Sequence, residues 1–88
     1  MLTAASVPVL WRLARLDFDQ VRGQPVLLYP EGALLLNPTG AAILELCDGR
    51  RSIAEIARML GERYGADVDA DVAEYLSRLA ERELIHEA

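Results

Sequence analysis

The spacing of apolar residues changes near residue 37. Before it, apolar positions come in short runs. Leu16 and Phe18 alternate with charged neighbours, while Pro25–Tyr29 and Ala33–Leu36 are brief and bounded by turn residues. Runs of this kind read as strands. After residue 37 the spacing becomes three and four. Ile53, Ile56, Ala57 and Leu60 follow i, i+3, i+4, i+7, and Val72, Leu76 and Leu79, with Leu84, keep the same period. That is the signature of helices with one apolar face. The pattern predicts an α+β fold: a small antiparallel three-stranded sheet followed by three helices.

The punctuation agrees. Arg22-Gly23 reads as a turn. In Pro30-Glu31-Gly32, proline presets φ and glycine is expected to accept a positive φ, folding Ala33–Leu36 back as an edge strand. Asn37 is a good N-cap and Pro38 suits the first helical position. That helix is expected to carry Ile43, Leu44, Leu46 and Cys47 and to stop at Gly49. Ser52 and Glu55 form a capping box for the second helix, which Gly65 ends. One of Asp67, Asp69 and Asp71 is expected to cap the third. Residues 1–10 read as an N-terminal arm, flexible or exchanged between subunits, ahead of a single domain over 11–88. Glu83 to Ala88 reads as a short extended tail.

Composition narrows the function. With 88 residues, the chain supports one modest core and no deep enclosed active site. The net charge is −5, and all nine cations are arginines, scattered apart from Arg12/Arg15 and Arg50/Arg51. An acidic chain without a clustered basic face disfavours nucleic acid. No apolar run approaches the ~20 residues that span a bilayer. The first residues lack a basic region and are broken by Pro8, which argues against a signal peptide. A lone cysteine fits a reducing compartment, so the cytoplasm is the expected location.

The candidate chemistry is sparse. Cys47 is expected near the C-terminal end of its helix, where the dipole disfavours a thiolate; it reads as a small core residue, and the only histidine, His86, stands close to the C-terminus. One cysteine and one histidine do not make a zinc site. Asp67, Asp69 and Asp71 open like a calcium loop, but the glycine and glutamate such a loop needs are Val72 and Arg78. No glycine-rich phosphate loop is present. The expectation is a protein without catalytic residues, cofactor or metal. Arg78 and Arg82 lie one turn apart on the third helix, with Glu74 in reach of Arg78; they read as a solvated face with ion pairs or as a contact for an acidic peptide.

Taken together, several segments resemble one family. They are Asp17 with Val21-Arg22-Gly23, the Tyr29-Pro30-Glu31-Gly32 turn, Leu36-Asn37, Cys47-Asp48-Gly49, Ile53–Glu55–Ile56 and Asp71-Val72. Their order and spacing, from about Leu13 to Leu84, resemble the PqqD family of pyrroloquinoline quinone biosynthesis. The resemblance implies a peptide chaperone, a RiPP recognition element with a winged helix-turn-helix-like fold. Such proteins bind the precursor peptide PqqA and present it to the radical SAM enzyme PqqE, which cross-links a glutamate to a tyrosine. In related domains the peptide adds as a strand to the third strand and lies against the third helix. Carried onto this chain, the expected peptide-binding residues are Ala33, Leu34, Leu35 and Leu36, with Val72, Tyr75, Leu76, Arg78 and Leu79.

Three rivals compete with that reading. A winged helix reading DNA would insert its third helix in the major groove, but Asp69, Asp71, Glu74, Glu81 and Glu83 outweigh Arg78 and Arg82 there. An enzyme acting alone lacks candidate residues. A homodimer through the exposed edge or the apolar arm would use the same surfaces.

Overall fold

The computed structural model describes residues 2–88. Its elements are β1 (Pro8–Leu10), β2 (Arg15–Asp19), β3 (Gln24–Tyr29), β4 (Gly32–Leu35), α1 (Pro38–Glu45), α2 (Ile53–Tyr64), α3 (Asp69–Glu81) and β5 (Ile85–Glu87). β2, β3 and β4 form the expected antiparallel sheet in that order, and the helices follow. The core gathers Leu27 and Leu36 from the sheet side, Ile43 and Leu44 from α1, Ile56 and Leu60 from α2, and Val72, Leu76 and Leu79 from α3.

A second, two-stranded ribbon pairs β1 with β5. The segment expected as an arm therefore lies against the expected tail. β1 is also bonded on its other side: Leu10 N–H donates to the Cys47 carbonyl at 3.3 Å, and Gly49 N–H donates to the Pro8 carbonyl at 3.2 Å. Residues before it finish α2. Ile53 N–H donates to the Ser6 carbonyl and Ala54 N–H to the Ala4 carbonyl, at 2.9 and 3.0 Å. Ser52 Oγ takes the Glu55 N–H, and Glu55 returns the bond to the Ser52 N–H. These bonds satisfy the donors that begin α2.

Three local expectations are corrected. α1 stops at Glu45 with Leu46 as C-cap, so Leu46 and Cys47 lie beyond it and Gly49 is not its terminator. The chain leaves the helix early because Cys47 and Asp48 bond to β1. Gly32 does not take positive φ, and neither do Pro30 and Glu31; the turn closes with ordinary backbone and Gly32 begins β4. No aspartate is the N-cap of α3. Val68 holds that position without a side-chain bond, and Asp67 Oδ1 accepts from Asp69 N–H just outside.

Candidate functional site

β4 is one edge of the sheet. Leu36 N–H donates to the Pro25 carbonyl at 2.9 Å, and the register runs on through Leu34 opposite Leu27 and Gly32 opposite Tyr29. Antiparallel pairs alternate between bonded and non-bonded. Gly32, Leu34 and Leu36 therefore aim their backbone groups at β3, and Ala33 and Leu35 aim theirs outward. The edge offers two N–H and two C=O groups. The opposite edge, β2, is defended. By the same alternation Phe18 N–H faces out there, but it donates to Asp17 Oδ1 at 2.8 Å, and Arg15 and Asp17 put charge along it. Charged side chains and occupied donors blunt an edge; β4 has neither.

α3 shares a hollow with the chain at each end of this open edge. At one end of β4, Tyr75 and Arg78 from α3 share a hollow of about 330 Å³ with Asn37 and Gly40. At the other, Arg82, which caps α3, meets Trp11, Tyr29, Glu31 and His86 around a hollow of about 420 Å³. Because Glu31 and Asn37 flank β4 in sequence, the edge spans the gap between the two hollows and runs antiparallel to α3. Arg82 Nη2 donates to the Tyr29 hydroxyl at 2.9 Å and ties the helix end to the hairpin. Arg78 has a loose ion pair with Glu74, at 4.0 Å, between exposed side chains.

The expected site residues divide. Ala33 and Leu35 lie on the open edge, Leu34 is half-buried, Tyr75 is half-buried and Arg78 is exposed. Leu36, Val72, Leu76 and Leu79 do not line the cleft; they are buried in the core. The reason is the helical period: positions 72, 76 and 79 form the inward stripe, and Tyr75 and Arg78 lie on the flank beside it. Tyr75 is held closely. Its hydroxyl stands 2.6 Å from where a Cβ on Gly40 would be, so glycine at 40 makes room for it. Burial raises the Tyr75 pKa, and nearby Arg78 opposes the shift.

The pattern of the sequence pointed to the edge and to α3, Arg78 and Arg82 included, but not to Tyr29, Trp11 or Gly40. Tyr29 and Arg82 are far apart in the chain, and no local periodicity couples them. Gly40 reads as an ordinary helix residue until Tyr75 is seen above it. Cys47 is buried, donates from Sγ to the Ile43 carbonyl at 3.4 Å, and has a pKa pushed up to about 12, by burial first and by Asp48 second. A thiol so held is a poor nucleophile.

Known proteins share this architecture. The family model described as coenzyme PQQ synthesis protein D (PqqD) matches residues 25–85. The PqqA binding protein of Klebsiella pneumoniae strain 342 is 48% identical over 73 residues, covering 81% of this chain and 79% of its own. The bifunctional coenzyme PQQ synthesis protein C/D of Methylorubrum extorquens AM1 is 40% identical over 86 residues. That match covers 94% of this chain, which spans only 23% of the larger relative. The solution structure of the PqqD truncation of Methylobacterium extorquens PqqCD, described as a functional and stand-alone RiPP recognition element, superposes with a TM-score of 0.84 at 38% identity. It covers 98% of this chain and 95% of the other. The crystal structure of PqqD from Xanthomonas campestris gives 0.58 at 32% identity, with 96% and 97% covered. With the sheet, helices and open edge arranged as described, this chain belongs to the PqqD family.

Proposed function

We propose that this protein binds the precursor peptide PqqA as an added strand on β4, against the Tyr75–Arg78 flank of α3, and presents it to the radical SAM enzyme PqqE in the cytoplasm. It binds and does not itself catalyse. The observation that carries the reading is the pair of outward-facing backbones at Ala33 and Leu35 on an undefended edge, with a hollow lined by α3 residues at each end. Relatives named PqqA binding protein supply the peptide's identity.

Magnitudes say where affinity must come from. Four new backbone hydrogen bonds contribute about 0.5–1.5 kcal/mol each. Ordering a flexible peptide costs about 2–5 kcal/mol. The ladder roughly offsets the ordering, so side-chain contacts set the affinity. Binding near micromolar, around −8 kcal/mol, is expected.

An amide NMR titration of the protein with synthetic PqqA tests this. Shifts concentrated at Ala33, Leu35, Tyr75 and Arg78 are the expected result. Saturable binding with shifts confined to other surfaces would remove the site and keep the peptide. A homodimer through β4 would compete for the same groups, and sedimentation with and without peptide separates the two.

A further inference from the structure

We propose that the outer face of the sheet is the second wall of the peptide site, and that it takes apolar side chains at two alternate positions, i and i+2, of the added strand. This rests on strand addition at β4 and goes beyond it, because that reading assigns only the α3 side.

The inference follows from the alternation of the strands. The residues whose backbones face outward, Ala33 and Leu35, are also the residues whose side chains lie away from the core. They share a hollow of about 470 Å³ with Val26 and Leu28, rimmed by Asp17, Asp19 and Arg22. This is a separate apolar surface: Val26 is 6% exposed yet stands outside the main core cluster, and Leu35 is 40% exposed. Residues directly opposite each other in a sheet share a face. An antiparallel strand bonded to Ala33 and Leu35 therefore sets the two residues opposite them on this outer face. The residue between them, opposite Leu34, lies on the inner face, on the helix side. A parallel strand changes which residue donates to which carbonyl but keeps two positions, spaced by two, on the outer side.

The surface also selects. Val26, Leu28, Ala33 and Leu35 form a continuous apolar row that a new strand would extend at its open end. Asp17 and Asp19 border the same hollow. Each is in an ion pair of 3.7 Å with Arg15 or Arg22, so the rim is close to neutral and the surface favours apolar over charged side chains at the two outer positions. The residue on the inner face is free of that constraint. The two faces of the bound strand thus have different chemical requirements.

The test is titration of PqqA into the unmodified protein and into Leu35→Gln, with nuclear Overhauser contacts measured to the Leu28 and Leu35 methyl groups. Leu35→Gln keeps the backbone edge and alters an exposed side chain, so the fold and its amide spectrum persist. Burial of the exposed part of Leu35 corresponds to a loss of about three- to eightfold in affinity when the leucine is removed. Contacts from two peptide residues spaced by two to these methyl groups, together with that loss, are the expected result. PqqA binding with unchanged affinity for Leu35→Gln and no contacts to either leucine would overturn the inference and leave strand addition standing. No saturable binding to the unmodified protein would overturn the proposed function and this inference with it.

Discussion

Glu83 is the one non-glycine residue with positive φ, +61°, among the described residues. It sits where α3 ends. Glu83 N–H donates to the Ala80 carbonyl and Leu84 N–H to the Leu79 carbonyl, with Leu79 and Leu84 both buried. That is a Schellman motif, whose left-handed position favours glycine. The left-handed form costs an ordinary residue roughly 1–2 kcal/mol, partly offset by the extra unfolded-state freedom of glycine. Glu83→Gly should stabilise by about 0.5–1 kcal/mol, and Glu83→Val should destabilise by more than that; urea unfolding of both variants checks the signs. Gly40 is the opposite case. Alanine would gain about 1 kcal/mol of helix propensity, but its Cβ would stand 2.6 Å from the Tyr75 hydroxyl. Overpacking costs typically about 1–3 kcal/mol, so Gly40→Ala should destabilise. Adding Tyr75→Phe removes the closest atom and should recover part of the loss. A double mutant no more stable than Gly40→Ala would show that Tyr75 is not the obstacle. Cys47 supplies a pH dependence. Its folded pKa is raised from the ordinary 9.0 to about 12. Below pH 9 both states hold the proton and this group contributes no slope. Above that, the unfolded chain releases the proton first, so stability should fall between about pH 9 and 12. Unfolding titrations of the protein and Cys47→Ala across that range should differ in slope.

Elements were more legible than their ends. The three strands of the sheet and the three helices follow from the change of apolar period, while β1 and β5 do not, and the capping box at Ser52 and Glu55 is formed as the residues foretell. The misread ends belong to places where distant chain competes with local preference. α1 gives up Leu46 and Cys47 because β1 takes the backbone of the Cys47–Asp48 segment. α3 starts without an aspartate at its N-cap although three aspartates were at hand. In the candidate site, the edge was readable because a firm turn and a firm helix start bracket it. Which residues of α3 point inward was also readable, and that same period removes Val72, Leu76 and Leu79 from the cleft. A proline scan tests the edge at this scale. Proline at Ala33 removes an N–H that faces solvent, which an edge strand tolerates. Ala33→Pro should keep its fold and lose about two- to twelvefold in PqqA affinity, one hydrogen bond's worth. Leu34→Pro removes an N–H aimed at β3 and should cost stability instead. Equal loss of melting temperature in both variants would mean that the assigned alternation is wrong.

At the scale of the whole molecule, β1 near the start of the chain and β5 near its end meet in one ribbon, and local sequence did not reveal this. Residues 1–10 contain small apolar residues with no periodicity of their own. The structure of residues 7–10 comes from partners late in the chain: Val9 lies opposite His86, Leu10 opposite Ile85, and Ala88 N–H donates to the Val7 carbonyl at 2.8 Å. Pro8 and Ser6 are buried, and Ala4 and Ser6 supply carbonyls to the start of α2. A domain this small has a net stability of roughly 5–10 kcal/mol. Losing the ribbon bonds, the two α2 caps at about 1 kcal/mol each, and the burial of Pro8 and part of Leu10 at up to about 1.5–3 kcal/mol per side chain removes a comparable amount. Deletion of residues 1–10 should therefore leave a largely unfolded chain, visible as loss of the cooperative thermal transition in circular dichroism. Deletion of residues 85–88 removes the same ribbon from its other strand and should cost a similar amount, because Ile85 is also buried. The double deletion should look like either single one, since neither strand has a ribbon partner once the other is gone. A truncation at residue 10 that melts with nearly unchanged midpoint would show that β1 only rests on the domain, and would leave those residues free to pair with another subunit.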